Sequence, residues 1–228
     1  MRKIGFLLSA GGSACFKGID LAQLEKDDVA IIVDRECGAA DGARNRGLDL
    51  YYAAGTTRGE LSQSVLDIAL GNDVDCLVML FSRLVGRPLL GSVPVLNIHP
   101  SLLPSFPGLD GVAPAAQAYM PFQGATLHVA DEGMDTGPVL AQAVSAVHGT
   151  SDIGARHSIA FALKSTLVAL AIDWWRERVD FAASLTDLRK GLPAPAAYNS
   201  FVSHGFFDRA LEGRSANLLE KKFLALSR

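Results

Sequence analysis

Apolar positions along the chain alternate between short runs and helical stripes. Lys3 to Leu8 is a short apolar run that ends in Ser9-Ala10-Gly11-Gly12-Ser13, and Ala14 to Lys26 then carries Phe16, Ile19, Leu21 and Leu24 at helical spacing. This order predicts a strand, a glycine turn and a helix. Val29 to Val33 and Leu48 to Tyr52 read as further strands on either side of a short helix, Gly38 to Arg46, closed by Gly47. Glu60 to Leu70 places Leu61, Val65, Ile68 and Ala69 on one stripe, another helix, before a fourth strand at Cys76 to Leu80. Leu84 to Leu90 reads as a loop or short helix, and Val95 to Ile98 as a fifth strand.

The alternation predicts an α/β fold built on a doubly wound, mostly parallel sheet, in which ligands sit beyond the carboxyl ends of the strands. Ala125 to Ala130 and Val139 to Val147 add two strands around a loop that holds Asp135, and Ile153 to Val179 gives a long helix with Trp174 and Trp175. After Asp180 the periodicity weakens, Leu192 to Ser200 is a Pro/Ala-rich break, and one more helix is expected near Ala216 to Leu226. The expected organisation is one domain over residues 1–180, with a short helical extension, residues 181–228, packed on it.

Composition narrows the class. Of the 228 residues 49% are apolar and 20% charged, the balance of a folded globular chain rather than a disordered one. A net charge of −3 gives no electrostatic reason to expect a nucleic-acid partner. Cys15, Cys37 and Cys76 are odd in number and lack CxxC spacing, which suits a reducing compartment. The apolar stretch after Met1-Arg2-Lys3 falls short of the about 7–15 residues of a secretory core, so a cytoplasmic location is expected. No segment is expected to reach the ~20 apolar residues that span a bilayer, so no membrane partner is expected. The histidines lack the paired spacing of a zinc site, and no metal is expected. Oligomeric state stays open.

Candidate chemistry lies in two stretches, Asn97-Ile98-His99-Pro100-Ser101-Leu102-Leu103-Pro104 and GATLHVADEGMDTGPVLAQ from Gly124 to Gln142. Asn97 and His99 stand two apart, so in extended backbone both side chains project to one face. Asp135 adds a carboxylate. Amine attack on an acyl or formyl carbonyl needs donors for the oxyanion and a relay for the proton that the nitrogen sheds. Asn97 and a protonated His99 can donate, while Asp135 can hold His99 charged or receive the proton. The plainer alternative makes His99 structural and Asp135 a turn residue before Gly137. At the other end, a turn of Gly11, Gly12 and Ser13 leading into a helix suits a phosphate, though such turns are also common connections.

With Pro107-Gly108-Leu109 between them, these stretches resemble the formyltransferase family that uses 10-formyltetrahydrofolate, and the resemblance runs from about Lys3 to Asp180. It implies Asn97, His99 and Asp135 as catalytic residues. It also implies a folate pocket formed by Phe81, Ser82, Arg83, Leu84 and Val85 with Ala130, Asp131, Glu132, Gly133 and Met134. Leu84 and Val85 could equally be core, and Arg83 an ion-pair partner. On the acceptor side it implies Gly11, Gly12, Ser13, Pro107 and Gly108.

The activity implied is transfer of a formyl group from 10-formyltetrahydrofolate to a primary amine of a small molecule. The alternatives are glycinamide ribonucleotide as acceptor, or a folate-binding protein without turnover. Against the nucleotide, the family's purine members carry Asn where this chain has Gly11 and Ala14, and an ungapped match from Ile153 sets Phe161 where they carry a substrate-reading Glu. The tail is too short and too weakly basic for the added barrel of the transfer-RNA branch. The deformylase branch sets a regulatory domain ahead of a catalytic fold that here starts at Lys3.

Overall fold

In the computed structural model, residues 2–147, 152–179 and 181 are described. Strand β1 (Lys3–Leu8) leads into helix α1 (Ser13–Ala22), then β2 (Val29–Val33), α2 (Gly38–Arg46), β3 (Asp49–Tyr52), α3 (Arg58–Gly71) and β4 (Val74–Leu80). β5 (Val95–His99), α4 (Val112–Gln117), β6 (Phe122–Val129), β7 (Val139–Ala146) and α5 (Ile153–Arg176) follow. The strands form one sheet in the order β3-β2-β1-β4-β5-β6-β7. The first five run parallel, and β6 and β7 continue the sheet antiparallel. Strand order reverses at β1 and β4, the place where doubly wound sheets open a crevice.

Alternation within the buried strands divides the core between the two faces. Ile4, Phe6, Leu8, Ile31 and Val33 pack with α1, α2 and α5 on one side, while Leu7, Ala30 and Ile32 pack with Leu61, Val65 and Ala69 of α3 on the other. α1 and α5 approach closely because α1 carries Gly18 at the crossing. A Cβ there would lie 2.4 Å from Val168 Cβ and 2.8 Å from the Ser165 carbonyl oxygen.

The apolar stripe of the first helix runs to Lys26 in the sequence, but α1 ends at Ala22 with Gln23 in the left-handed region. Arg176 closes that end by donating to the Ala22 and Gln23 carbonyls at 2.6 and 2.7 Å. Helix α3 starts two residues before the expected Glu60, because Thr57 and Glu60 form a reciprocal capping box. Helix α4 was not expected. It has no apolar stripe, and its start is held by Asp110 Oδ1, which accepts from Val112 N at 2.9 Å.

α5 is long and apolar enough to cross a membrane by length and composition, contrary to the expectation that no segment is, but 67% of its most apolar window is buried inside the protein. Its apolar surface is thus core. The domain boundary at 180, the break at 192–200 and the expected helix at 216–226 lie outside the described residues. Phe181 is described, and it is buried with its ring 6.5 Å from that of Trp174.

Candidate functional site

Strand β5 ends the parallel part of the sheet and delivers its polar pair to the carboxyl mouth. Antiparallel pairing sets Asn97 opposite His128 and His99 opposite Thr126. His128 Nδ1 donates to the Val129 carbonyl at 3.0 Å, which leaves Nε2 as an acceptor for Asn97 Nδ2, also at 3.0 Å. Asn97 Nδ2 also donates to Asp135 Oδ1 at 3.2 Å. His99 lies with Nδ1 3.3 Å from Asp135 Oδ2 and Nε2 2.7 Å from the Phe106 carbonyl oxygen. Asn97, His99 and Asp135 are therefore brought together, and His128 joins them.

Two loops hold this cluster. Asp135 sits in the left-handed region at φ 55°, and its Oδ2 accepts from Gly108 N at 2.8 Å. Gly137 lets the loop return against β6, since a Cβ there would lie 1.8 Å from the Val129 carbonyl oxygen. Behind His99, Thr126 Oγ1 donates to the Ser101 carbonyl at 2.6 Å and accepts from Leu103 N and Gln142 Nε2, each at 3.0 Å. This buried network fixes the segment that presents Phe106 to the imidazole.

The side chains of His99 and Asp135 are 3% and 9% exposed. Burial pushes the Asp135 carboxyl up, but the Gly108 N–H and the polar influence of the neighbouring His128 and His99 rings outweigh it and hold the group below its usual value. His99 moves the other way from expectation. Burial lowers it below the ordinary histidine value, and the opposing pull of Asp135 and the Phe106 carbonyl does not restore it. The expectation that Asp135 holds the ring charged is therefore outweighed by desolvation. Both expected oxyanion donors are also engaged already, Asn97 by Asp135 and His128 and His99 by Phe106. A buried carboxylate beside a neutral imidazole can accept a proton and pass it on.

An open cleft of about 250 Å³ lies over the cluster. Phe81, Ser82, Arg83, Leu84, Val85, Ala130, Asp131, Gly133 and Met134 all line it, together with Asn97, His99 and Asp135. Glu132 does not, because its carboxylate turns to Arg58 at 3.0 Å and accepts from Arg87 N. Arg83 donates to the Gly55 carbonyl at 2.9 Å and pairs with Asp34 at 3.5 Å, so the ion-pair alternative holds for it while it lines the cleft. On the acceptor side Gly108 lines the cleft and Pro107 does not. The N-terminal wall is Ser9 and Ala10, with Gly11, Gly12 and Ser13 beyond it. Phe161 is also absent from the lining, and Lys164, three residues on, stands there.

Three further residues at the site carry little signal in the sequence. His128 lay inside a motif already marked, and pairing its strand with Val95 to His99 would have found it. Arg58 donates to the Val85 carbonyl at 2.9 Å through Nε and to the Glu132 carbonyl at 3.0 Å through Nη2, clamping both lining segments, with no local signal in the sequence. Lys164 is hidden within the apolar pattern of α5.

The Formyl transferase family matches residues 4–159. Phosphoribosylglycinamide formyltransferase of Bacillus subtilis is 40% identical over 88 residues, 37% of this chain and 45% of the relative. The enzyme of the same name from Mycobacterium tuberculosis is 38% identical over 120 residues, 50% of this chain and 56% of the relative. The chain thus spans about half the length of these curated relatives. The crystal structure of glycinamide ribonucleotide transformylase 1 from Symbiobacterium toebii superposes with a TM-score of 0.71 at 27% identity, covering 78% of this chain and 89% of that one.

Proposed function

The chain belongs to the formyl transferase family, and from that premise we propose that it transfers a formyl group from 10-formyltetrahydrofolate to the primary amine of a small molecule. The observation that carries the proposal is the meeting of His99 and Asp135 at 3.3 Å under an open cleft, with Asn97 on the same carboxylate. The cleft suits a folate. Leu84, Val85 and Met134 offer apolar walls, and the backbone of 81–85 and 130–134 offers donors and acceptors to a flat heterocycle. These segments would hold it, and once bound it supplies a formyl carbonyl as electrophile.

The chain's own residues then handle charge and proton. Asn97 Nδ2 and His99 Nε2 are the donors available to a carbonyl oxygen that gains negative charge, after exchanging their present acceptors. Asp135 and the neutral His99 take the proton shed as the amine nitrogen bonds to the formyl carbon. The balance closes when that proton passes to the nitrogen that loses the formyl group. The free thiols of Cys15, Cys37 and Cys76 support a reducing, cytoplasmic setting.

A second reading makes glycinamide ribonucleotide the acceptor, and the names of the relatives favour it. The N-terminal turn, with Gly11 and Ala14 in place of Asn, argues for a different amine. A panel of amine metabolites with 10-formyltetrahydrofolate, read as tetrahydrofolate release, tests the proposal. Turnover with at least one amine is expected. Folate binding without any turnover would favour a non-catalytic folate-binding protein.

A further inference from the structure

Lys164 projects from α5 to line the same cleft as His99, Pro100, Gly108 and Leu109. It is half-buried, and among the described residues it has no hydrogen-bond acceptor and no ion-pair partner. Asp110 is the carboxylate that acts on it, but Asp110 Oδ1 is taken up by Val112 N at 2.9 Å and Ala113 N at 3.4 Å. The other cation in the lining, Arg83, is occupied by the Gly55 carbonyl and Asp34. An ammonium partly withdrawn from water, and met by Asp110 only through space, keeps its N–H donors unused, and an anion entering the cleft can take them.

Resting on the formyl-transfer reading above, we propose that Lys164 seats an anionic group, a carboxylate or a phosphate, carried by the amine acceptor. Lys164 lines the same cleft as Gly108, whose N–H holds Asp135, so an anion seated at Lys164 keeps its amine in the cleft where protons are handled. Burial lowers the Lys164 pKa, and the Asp110 carboxylate offsets only part of that effect.

The test pairs acceptors that differ in the anion alone: glycinamide ribonucleotide against its dephosphorylated riboside, and 4-aminobutanoate against 4-aminobutanamide. With the full chain and 10-formyltetrahydrofolate, one anionic member should exceed its neutral partner in kcat/KM by about 10-fold or more, the scale of a charge-assisted hydrogen bond. Which pair shows the preference identifies carboxylate or phosphate. Lys164→Met should collapse that ratio toward one, Lys164→Arg should keep part of it, and KM for 10-formyltetrahydrofolate should change less than about 2-fold, within a few tenths of a kcal/mol. A ratio near one in the unmodified protein, or a ratio that survives Lys164→Met, overturns the proposal. So does a rise in folate KM with the ratio kept, since Lys164 would then hold the folate's own carboxylate. If no amine is formylated, the formyl-transfer reading fails by itself, and the lysine seat is judged by titrating inorganic phosphate and acetate against the Lys164 side-chain NMR signal. A saturable shift of that signal upholds it, and no shift contradicts it.

Discussion

The imidazole of His99 faces the Asp135 carboxylate at 3.3 Å through Nδ1 while its Nε2 stands 2.7 Å from the Phe106 carbonyl oxygen. Both nitrogens of one buried ring thus point at acceptors. A neutral ring can satisfy only one of them, so a proton arriving at His99 completes a second bond instead of creating an isolated charge. Burial keeps the ring neutral at rest, and the geometry is ready for the charged form.

His99→Ala should lower turnover at least about 100-fold while folate affinity changes little, because loss of one such donor or relay costs about 10²–10³ in rate. The proposed folate contacts lie mainly in other lining segments. Single-turnover rates and equilibrium folate binding separate the two effects, and near-normal turnover would make His99 structural.

The pH dependence has a definite sign. His99 is depressed from its ordinary value of about 6.5, so its contribution to stability is present above that pH and is lost as pH falls through the folded value. Asp135 is depressed as well, and its contribution is lost as pH falls below about 3.9 toward its folded value. Denaturant unfolding from pH 3 to 8 should show His99→Asn lacking the upper step and retaining the lower one. A stability that rises on acidification through pH 6 would mean that the ring rests charged.

Arg58 ties the Val85 and Glu132 carbonyls together at the rim. Arg58→Ala should raise KM for the folate by about 10-fold, the scale of one hydrogen bond to a charged group, with kcat changed far less. An effect on kcat alone would place Arg58 elsewhere in the mechanism.

Gly18 has no room for a side chain where α1 crosses α5. Gly18→Val should destabilise the fold by about 1–3 kcal/mol through overpacking, measured by urea unfolding. Stability within experimental error of the parent chain would show that the crossing is looser than the 2.4 Å approach indicates.

Apolar runs and stripes were enough to place β1, β2, β4 and α5, because each buries a face whose period is written in the residues themselves, while α2 was marked by its closing Gly47. Helix α4 was not legible, since it is held by Asp110 and tertiary contacts and has no stripe of its own. Asn97, His99 and Asp135 were legible from motifs. His128 required the β5–β6 register, and Arg58 and Lys164 required the third dimension, since each lies far along the chain from what it serves. The protonation of His99 could not be read from neighbouring residue types either, because the deciding influence is burial, which spacing does not encode.

The central claim concerns where the formyl carbon goes. Incubation of the protein with 10-formyltetrahydrofolate labelled with ¹³C at the formyl group, with and without an amine acceptor, followed by NMR of the products, reads this out directly. The account predicts label in a new formamide that forms only with the amine present, matched by tetrahydrofolate, and lost in His99→Ala. Label released as formate at the same rate without amine would show hydrolysis, and would contradict transfer to an acceptor.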